Sequence, residues 1–312
     1  MTASNLETWI ERFLDELIER RGRSRNTVEA YRSDLQQFLR LLPSVVENGQ
    51  LPAEWRAVRS THIRAYLGLL RSQGLSPASL NRKLVALRGF FDFLLENGQV
   101  SEDPMSAIRA VASSQPQTTL LTFDEVFRLL HAAEEDVSPI GLRDRAILEL
   151  LYTTGMRASE LLALNLEDLD LEAGTVQCGV ELRRRVLPLS RPAREAVVAY
   201  LEKGRPSLVK AKENTEQPAL FVNTRGQRMS RQGLWSRLKY YAKKAGISKP
   251  ISPQSLRNSF AVHLLHMGVA PNVVQERLGN SSLASVRNLR NLGDSLPNGF
   301  VLSQLSERLV ID

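Results

Sequence analysis

Residues 150–160 read Leu-Leu-Tyr-Thr-Thr-Gly-Met-Arg-Ala-Ser-Glu, and the interpretation of the whole chain starts from this stretch. A helix predicted over 141–153 runs into a Thr-Gly turn, after which Arg157 and Glu160 lie three residues apart. Side chains at that spacing share one face of a helix, so the carboxylate can orient the guanidinium. An isolated Arg-x-x-Glu pair is usually an ordinary surface salt bridge. A role for this pair therefore depends on the sequence around it.

Composition limits the classes of protein that this chain can represent. Its 312 residues are enough for two domains with a substantial core. The 41 Lys and Arg exceed the 34 Asp and Glu, a modest surplus that favours a polyanionic partner. No apolar run is long enough to span a membrane, which predicts a cytoplasmic protein without a membrane partner. Cys178 is the one cysteine, and His263 and His266 have no acidic neighbour, so neither a metal nor another cofactor is expected.

The N-terminal part of the chain shows helical periodicity. Apolar residues recur at helical spacing, as in Leu6, Ile10 and Phe13, which predicts a helical N-terminal domain at 1–110. Residues 111–119 lose this periodicity and are rich in Ser, Gln and Thr, as is typical of an interdomain linker.

The second predicted domain covers 120–312 and opens with a capping box formed by Thr122 and Glu125. Residues 170–189 predict a short strand, a turn and a returning strand. The fold class expected is therefore mainly α, with one small antiparallel sheet in the C-terminal domain. Helices are predicted at about 123–135, 141–153, 191–203, 231–245, 254–267, 271–278 and 283–291.

Several segments match one known family in order and spacing. They are Thr27-Val-Glu-Ala-Tyr31, Ser79-Leu-Asn-Arg-Lys-Leu, the quoted stretch around Arg157, Arg185-Val-Leu-Pro188, Ser252-Pro-Gln-Ser-Leu-Arg257 and Val274-Gln-Glu-Arg-Leu-Gly279. Together they resemble the tyrosine recombinase, or phage integrase, family, and in particular its Xer-type branch. The resemblance implies a helical, SAM-like core-binding domain, a catalytic-like domain, and two domains that clamp duplex DNA.

Members of that family cut one DNA strand at a time through a covalent bond between a tyrosine and the DNA phosphate. The resemblance implies that Arg157 and Arg257 hold this phosphate and that Glu160 orients Arg157. Planar guanidinium groups suit bidentate contact with a phosphate. If both arginines point into an open cleft, their replacement is expected to weaken DNA binding and to leave stability unchanged.

The positions that carry the chemistry of the family differ in this chain. The hairpin lysine, the first histidine, the later histidine or tryptophan and the tyrosine fall, in that order, at Val180, Gln254, Asn280 and Leu289. Gln254 and Asn280 can donate hydrogen bonds to a phosphate, but amides do not titrate near neutral pH. Arg183 and Arg185 are close to Val180 and can contact phosphate, yet a guanidinium is a poor proton donor. No catalytic position of the family is therefore intact.

Two basic faces are further candidates for DNA contact. The predicted helix at 231–245, which enters the major groove in the family, carries Arg231, Lys239, Lys243 and Lys244 beside an apolar stripe that includes Trp235. The fourth predicted helix carries Arg82, Lys83 and Arg88. Solvated basic faces without a partner are the alternative for both. Arg225 and Arg228 are expected to touch backbone phosphates as well.

Three hypotheses for the function remain open at this point. The first is a nucleoid-associated protein that binds duplex DNA, cannot cleave it alone, and assists or regulates site-specific recombination. The second is an active site-specific recombinase that uses unusual residues or the nucleophile of a partner. The third is a protein–protein module that no longer binds DNA. The apolar spacing of 300–309 predicts a C-terminal segment that docks on an active Xer-type recombinase, on a second copy, or on its own domain.

Overall fold

The computed structural model describes residues 3–22, 25–47, 49–112, 118–179, 184–209, 218–280 and 282–293. The chain forms two compact units, Met1–Pro116 and Gln117–Asp312. The described residues are mainly helical, with one small antiparallel sheet, so the predicted fold class is confirmed. No helix among them is long and apolar enough to cross a membrane.

Among its described residues, the first unit packs four α-helices around an aromatic core. Phe13, Phe38, Trp55 and Phe90 are buried in it, and the indole nitrogen of Trp55 donates to the Leu6 carbonyl at 3.2 Å. Pro77 occupies the first turn of the last helix, where its missing N–H costs no helical hydrogen bond. The helices are α1 (Ala3–Glu19), α2 (Arg25–Leu41), α3 (Ser60–Ser72) and α4 (Pro77–Glu96), with short 3₁₀ turns at Leu42–Val45 and Trp55–Ala57.

The polar face of α4 differs from its prediction. Lys83 is only 7% exposed, and its ammonium lies 2.7 Å from the carboxylate of the buried Asp34. The guanidinium of Arg82 contacts the same carboxylate from a half-exposed position. The prediction that Lys83 lies on the outer basic face is therefore wrong. A buried carboxylate is unfavourable without a positive partner, and α4 supplies that partner from its inner side.

The second unit surrounds a long buried helix. Its helices are α5 (Phe123–Glu134), α6 (Pro139–Thr154), α7 (Ala158–Ala163), α8 (Arg191–Ala199), α9 (Arg205–Val209), α10 (Arg231–Lys244), α11 (Pro253–His266), α12 (Pro271–Leu278) and α13 (Leu283–Gly293). The predicted capping box of Thr122 and Glu125 is present at the start of α5. Most side chains of α6 are buried, because α5, α8 and α11 pack around it.

The predicted hairpin is part of a three-stranded antiparallel sheet. The strands are β1 (Leu169–Asp170), β2 (Thr175–Cys178) and β3 (Arg185–Pro188), in the order β1-β2-β3. Val176 pairs with Leu169 on one side and with Leu187 on the other. The two-residue strand β1 lacks the alternation by which strands are recognised in a sequence.

The helix predicted at 191–203 keeps its α-helical form only to Ala199. A π-helical turn follows at Tyr200–Gly204 before α9 begins. Pro206 lacks the N–H that an uninterrupted α-helix needs at this point, which explains the change of hydrogen-bond pattern. A Cβ on Gly204 would lie 2.9 Å from the Tyr200 ring, so the turn also packs too tightly for a side chain there.

His263 is a structural residue of this unit. Its Nδ1 lies 2.8 Å from the Tyr152 hydroxyl, and its Nε2 lies 3.0 Å from the Leu121 carbonyl. A carbonyl can only accept, so Nε2 carries the proton and Nδ1 accepts from the tyrosine. Burial lowers the pKa of His263 to about 3 and keeps the ring neutral. The ring, which belongs to α11, therefore links the segment before α5 to helix α6.

Candidate functional site

The quoted Thr-Gly turn places Arg157 at the head of α7. Helix α6 ends at Thr154, and Gly155 follows with a positive φ of 61°, where a Cβ would lie 2.4 Å from the Phe260 ring. Arg157 is the N-cap of α7, and its backbone nitrogen donates to Glu160 at 2.6 Å. Its guanidinium donates to the same carboxylate at 2.9 Å. Glu160 therefore orients Arg157 through both the backbone and the side chain.

A second guanidinium, that of Arg185 on β3, closes on Glu160 from the other side. Its two Nη atoms lie 2.9 Å from the two carboxylate oxygens, and its Nε donates to the Arg277 carbonyl at 2.9 Å. The side chains of Arg185 and Glu160 are each 12% exposed. The guanidinium of Arg185, which was predicted to contact DNA phosphate, thus points into the protein.

The third guanidinium, that of Arg257 on α11, is almost completely buried at 3% exposure. Its Nη1 donates to the Gly155 carbonyl, and its Nη2 donates to the Leu278 carbonyl, both at 2.6 Å. The same Nη2 reaches the Asn280 carboxamide oxygen at 2.8 Å. Arg257 therefore does not meet the condition, an open cleft, under which its replacement was expected to leave stability unchanged. Arg157 differs from it, because 37% of its side chain remains exposed.

We call the three guanidiniums of Arg157, Arg185 and Arg257, with Glu160, the arginine cluster. The cluster holds three positive charges and one carboxylate, which pairs directly with Arg157 and Arg185, so an excess of two charges remains. Burial raises the pKa of Glu160, but hydrogen bonds from Arg185 and Arg157 outweigh it and bring the value to about 2. Burial, followed by the nearby charge of Arg157, lowers the pKa of Arg257 to about 10. An anion at this position would relieve the excess charge.

Main-chain carbonyl groups also fix the cluster, and these contacts were not predicted from the sequence. Gly279 accepts from Arg157 at 3.0 Å, and its φ of 60° ends α12. A Cβ there would lie 2.9 Å from the Arg185 guanidinium, so glycine is required by both conformation and space. A Gly directly after an apolar helix is the signal that indicates such a cap. The buried thiol of Cys178 also lies close to the cluster, and burial raises its pKa to about 11.

The residues that stand where the resemblance places the catalytic residues of the family differ in burial and in contacts. Leu289 on α13 is half-buried and packs against the core of the second unit. Gln254 is exposed at the start of α11 and donates to the Asn258 side chain at 2.8 Å. Val180 and Arg183 lie outside the described residues, as does the predicted C-terminal segment at 300–309.

Helix α10 divides its basic residues between solvent and the protein. Arg231, Lys239 and Lys243 are exposed. Lys244 lies 2.9 Å from Glu135 and donates to the Ala132 carbonyl at 3.0 Å, so it is partly engaged within the unit. Trp235 was predicted in the apolar stripe, but it is 44% exposed, with the Lys239 ammonium 5.6 Å from its ring.

The remaining arginines that were predicted to contact DNA are also divided between contacts within the protein and exposure to solvent. Arg228 donates to the carbonyls of Leu162 and Leu164 at 2.9 and 3.0 Å, so it holds the end of α7 instead of facing solvent. Arg225 is exposed. In the first unit, Arg88 is exposed and donates to the Ile108 carbonyl at 3.0 Å.

Residues 119–293 match the phage integrase family, and residues 10–98 match the N-terminal SAM-like domain of phage integrases. The chain therefore belongs to the phage integrase family, whose members are the tyrosine recombinases. Its relatives include Xer-type proteins. Tyrosine recombinase XerD of Listeria monocytogenes serovar 1/2a is 38% identical over 279 residues, which is 89% of this chain and 92% of the relative. Tyrosine recombinase XerC of Roseiflexus castenholzii is 38% identical over 279 residues, or 89% and 87% of the two chains.

Solved structures share the fold at lower identity. XerH site-specific recombinase bound to a palindromic difH substrate aligns with a TM-score of 0.68 and 21% identity, over 94% of each chain. A lambda integrase dimer bound to a core site aligns with a TM-score of 0.67 and 20% identity, over 95% of this chain and 99% of the other. At these identities the likeness concerns the fold alone.

Proposed function

We propose that this protein binds duplex DNA through the recombinase fold and does not cleave it by itself. One contrast supports the proposal. The arginine cluster is assembled around an excess of positive charge, while Leu289 at the nucleophile position packs against the core. A leucine cannot attack phosphorus, and neither Gln254 nor Asn280 can transfer a proton near neutral pH. The pair of arginines that receives the phosphate in the family is retained without the groups that would react with it.

The biological role in this proposal is that of a structural or regulatory partner in site-specific recombination. The matched relatives are Xer-type recombinases, and lambda integrase has been solved as a tetramer on a Holliday junction. A subunit that binds DNA without cutting can occupy one position in such an assembly and leave cleavage to the other subunits. The proposed location is the nucleoid.

A nicked suicide substrate tests the proposal. Cleavage next to the nick releases a short fragment and traps the covalent protein–DNA adduct, with XerD of Listeria monocytogenes on its own site as the positive control. For this protein we expect a complex on a native gel and no band that resists denaturant. A denaturant-resistant band would contradict the proposal, and the absence of any native complex would contradict the DNA-binding part.

A second candidate is an active recombinase that borrows the nucleophile of a partner. The assembled arginine cluster favours it, because such a site could still activate a phosphate for a tyrosine supplied from outside. A partner recombinase that keeps its tyrosine but lacks its own phosphate-binding arginines tests this candidate. An adduct on the partner that forms only when this protein is present, and disappears with Arg157→Ala, would support it.

A further inference from the structure

The carboxamide of Asn280 lies between the two arginines that receive the phosphate in the family. Its Oδ1 accepts from Arg257 Nη2 at 2.8 Å and lies 3.4 Å from Arg157 Nη2. The main chain at this position is held in place, because the Asn280 nitrogen donates to the Gln275 carbonyl and the Gln275 side chain donates to the Asn280 carbonyl, both at 3.1 Å. Any displacement of the carboxamide would therefore have to come from rotation of the side chain and not from the backbone.

The chemistry of the contact determines which atom of the amide faces the arginines. A guanidinium only donates hydrogen bonds, so the carboxamide must present its oxygen and direct its NH₂ group away. That oxygen is a neutral acceptor beside two cations in a region with excess positive charge. A phosphate oxygen in the same position would carry a negative charge of its own, so that donor and acceptor of each hydrogen bond would both be ionised. Asn280 is therefore the weaker of two ligands for one position.

We propose that the Asn280 carboxamide stands in for a phosphate oxygen in the free protein and rotates away when an oxyanion binds between Arg157 and Arg257. The inference rests on the proposed function, because the oxyanion of interest is a DNA phosphodiester. Free sulfate or inorganic phosphate has the same chemistry and competes for the same position. Asn280 thus lowers the affinity of the cluster for any anion and keeps Arg157 and Arg257 satisfied until one arrives.

Two substitutions at Asn280 separate this role from that of a direct phosphate ligand. Asn280→Ala removes the competing acceptor and leaves space for an anion. Asn280→Asp provides an acceptor with a permanent charge and closes the position. Asn288→Ala is the matched control, since Asn288 is an exposed amide on α13. In low salt we expect the alanine variant to melt below the wild type, because two guanidiniums lose an acceptor.

The first measurement is the melting temperature across a sodium sulfate titration, with sodium chloride at equal ionic strength as reference. Sulfate should raise the melting temperature of Asn280→Ala more than that of the wild type or of Asn288→Ala, and restore most of the loss. Asn280→Asp should show no response specific to sulfate. Equal responses of all four proteins would overturn the inference, and so would a wild-type response in the aspartate variant.

The second measurement is the affinity for duplex DNA. Removal of one competing hydrogen bond should tighten binding by about 3- to 10-fold in Asn280→Ala, and Asn280→Asp should weaken it by about tenfold or more. Weaker binding by both variants would make Asn280 a phosphate ligand and overturn the inference. Absence of DNA binding by the wild type, with the sulfate pattern intact, would refute the proposed function and leave the inference standing.

Discussion

The arginine cluster and the basic face of α10 were both predicted to bind DNA phosphate, yet they are built in different ways. In the cluster, Arg185 and Arg257 are fixed by a carboxylate or by main-chain carbonyls and have little exposure. On α10, Lys239 and Lys243 extend into solvent. The cluster has a defined geometry, into which we propose that a phosphate fits, whereas the lysines offer exposed charge. In the cluster, the side chains proposed to bind phosphate also stabilise the fold, so DNA binding and stability are coupled. On α10 the two properties are independent.

This difference predicts separate consequences for stability and for affinity. A substitution of Glu160, Arg185 or Arg257 should change both, because these side chains have little exposure and are hydrogen-bonded within the protein. A substitution of an exposed lysine should change affinity through its charge and leave the free energy of unfolding within about 0.5 kcal/mol of the wild type.

The largest expected effect comes from Glu160→Gln. This change leaves Arg185, whose side chain is only 12% exposed, without its carboxylate, and loss of one partner of a buried ion pair typically costs about 3–5 kcal/mol. Urea unfolding at pH 7 measures it. The surface pair of Arg191 and Glu195 provides the control, since Glu195→Gln should cost less than about 1 kcal/mol. Equal costs would mean that Glu160 is no more than a surface partner.

The same carboxylate predicts an acid-sensitive stability. Its pKa is lowered to about 2 in the folded protein, while an ordinary Glu titrates near 4.5. A lowered pKa stabilises the fold fully above the ordinary value and loses that contribution as the pH falls from 4.5 towards 2. The wild type should therefore lose stability over this range more steeply than Glu160→Gln. Parallel pH profiles would contradict the assignment.

The second effect compares Arg257→Ala with Arg157→Ala. Both should weaken DNA binding by roughly 10- to 100-fold, because each removes a charge-assisted phosphate contact worth about 1.5–3 kcal/mol. Arg257→Ala should also lower the free energy of unfolding by about 2 kcal/mol or more, since it leaves the carbonyls of Gly155 and Leu278 without this donor. Arg157→Ala should cost less stability.

Binding assays on two unrelated duplexes, paired with urea unfolding, distinguish these effects. The loss of affinity should be similar on both duplexes, because phosphate contacts carry no base identity. Arg194→Ala, at an exposed position of α8 that is not predicted to contact DNA, is the control. Unchanged affinity with a large loss of stability in both cluster variants would make the cluster purely structural and leave DNA binding to the basic helices.

Local contacts of the site could be predicted from the sequence, and distant ones could not. Arg157 and Glu160 are three residues apart, and the Thr-Gly turn between helices is a local signal, so their pairing was expected. The contact of Arg185 with Glu160 spans 25 residues, and that of Arg257 with Gly155 spans 102. Such pairs depend on how α7, β3 and α11 pack, which periodicity alone does not reveal.

Some errors were avoidable from the spacing itself. Leu80, Lys83, Leu84 and Leu87 are all buried, at the i, i+3, i+4, i+7 positions of one helical face. A lysine in that pattern indicates a buried ion pair, although its partner Asp34 lies 49 residues away. The buried stripe of α10 likewise consists of Leu234, Leu238, Tyr241 and Ala242, and it leaves Trp235 on an adjacent side.

The third effect concerns the salt dependence of DNA binding. Each phosphate neutralised on duplex DNA contributes roughly −0.9 to the slope of log K against log salt. Lys239→Ala and Lys243→Ala should each flatten the slope by about one, if their exposed ammonium groups meet phosphate. Lys244→Ala should change it less, because its ammonium already contacts Glu135. Binding at four salt concentrations measures the slopes, and identical slopes for all three variants would place these lysines on a solvated face.

The smallest effect is expected at residue 289, the position where we propose that the nucleophile of the family is missing. Leu289→Tyr returns a hydroxyl to the nucleophile position, but each missing acid–base group still lowers the rate by roughly 10²–10⁴-fold. We therefore expect almost no covalent adduct on a nicked substrate. Leu289→Phe is the matched control, because it introduces the same ring into the half-buried position without a nucleophile. Suppose that Leu289→Tyr forms an adduct in yields like those of the XerD control and that Leu289→Phe forms none. The arginine cluster alone would then be enough to activate the phosphate. The proposed contrast between a phosphate site and a missing reaction would then rest on residue 289 alone.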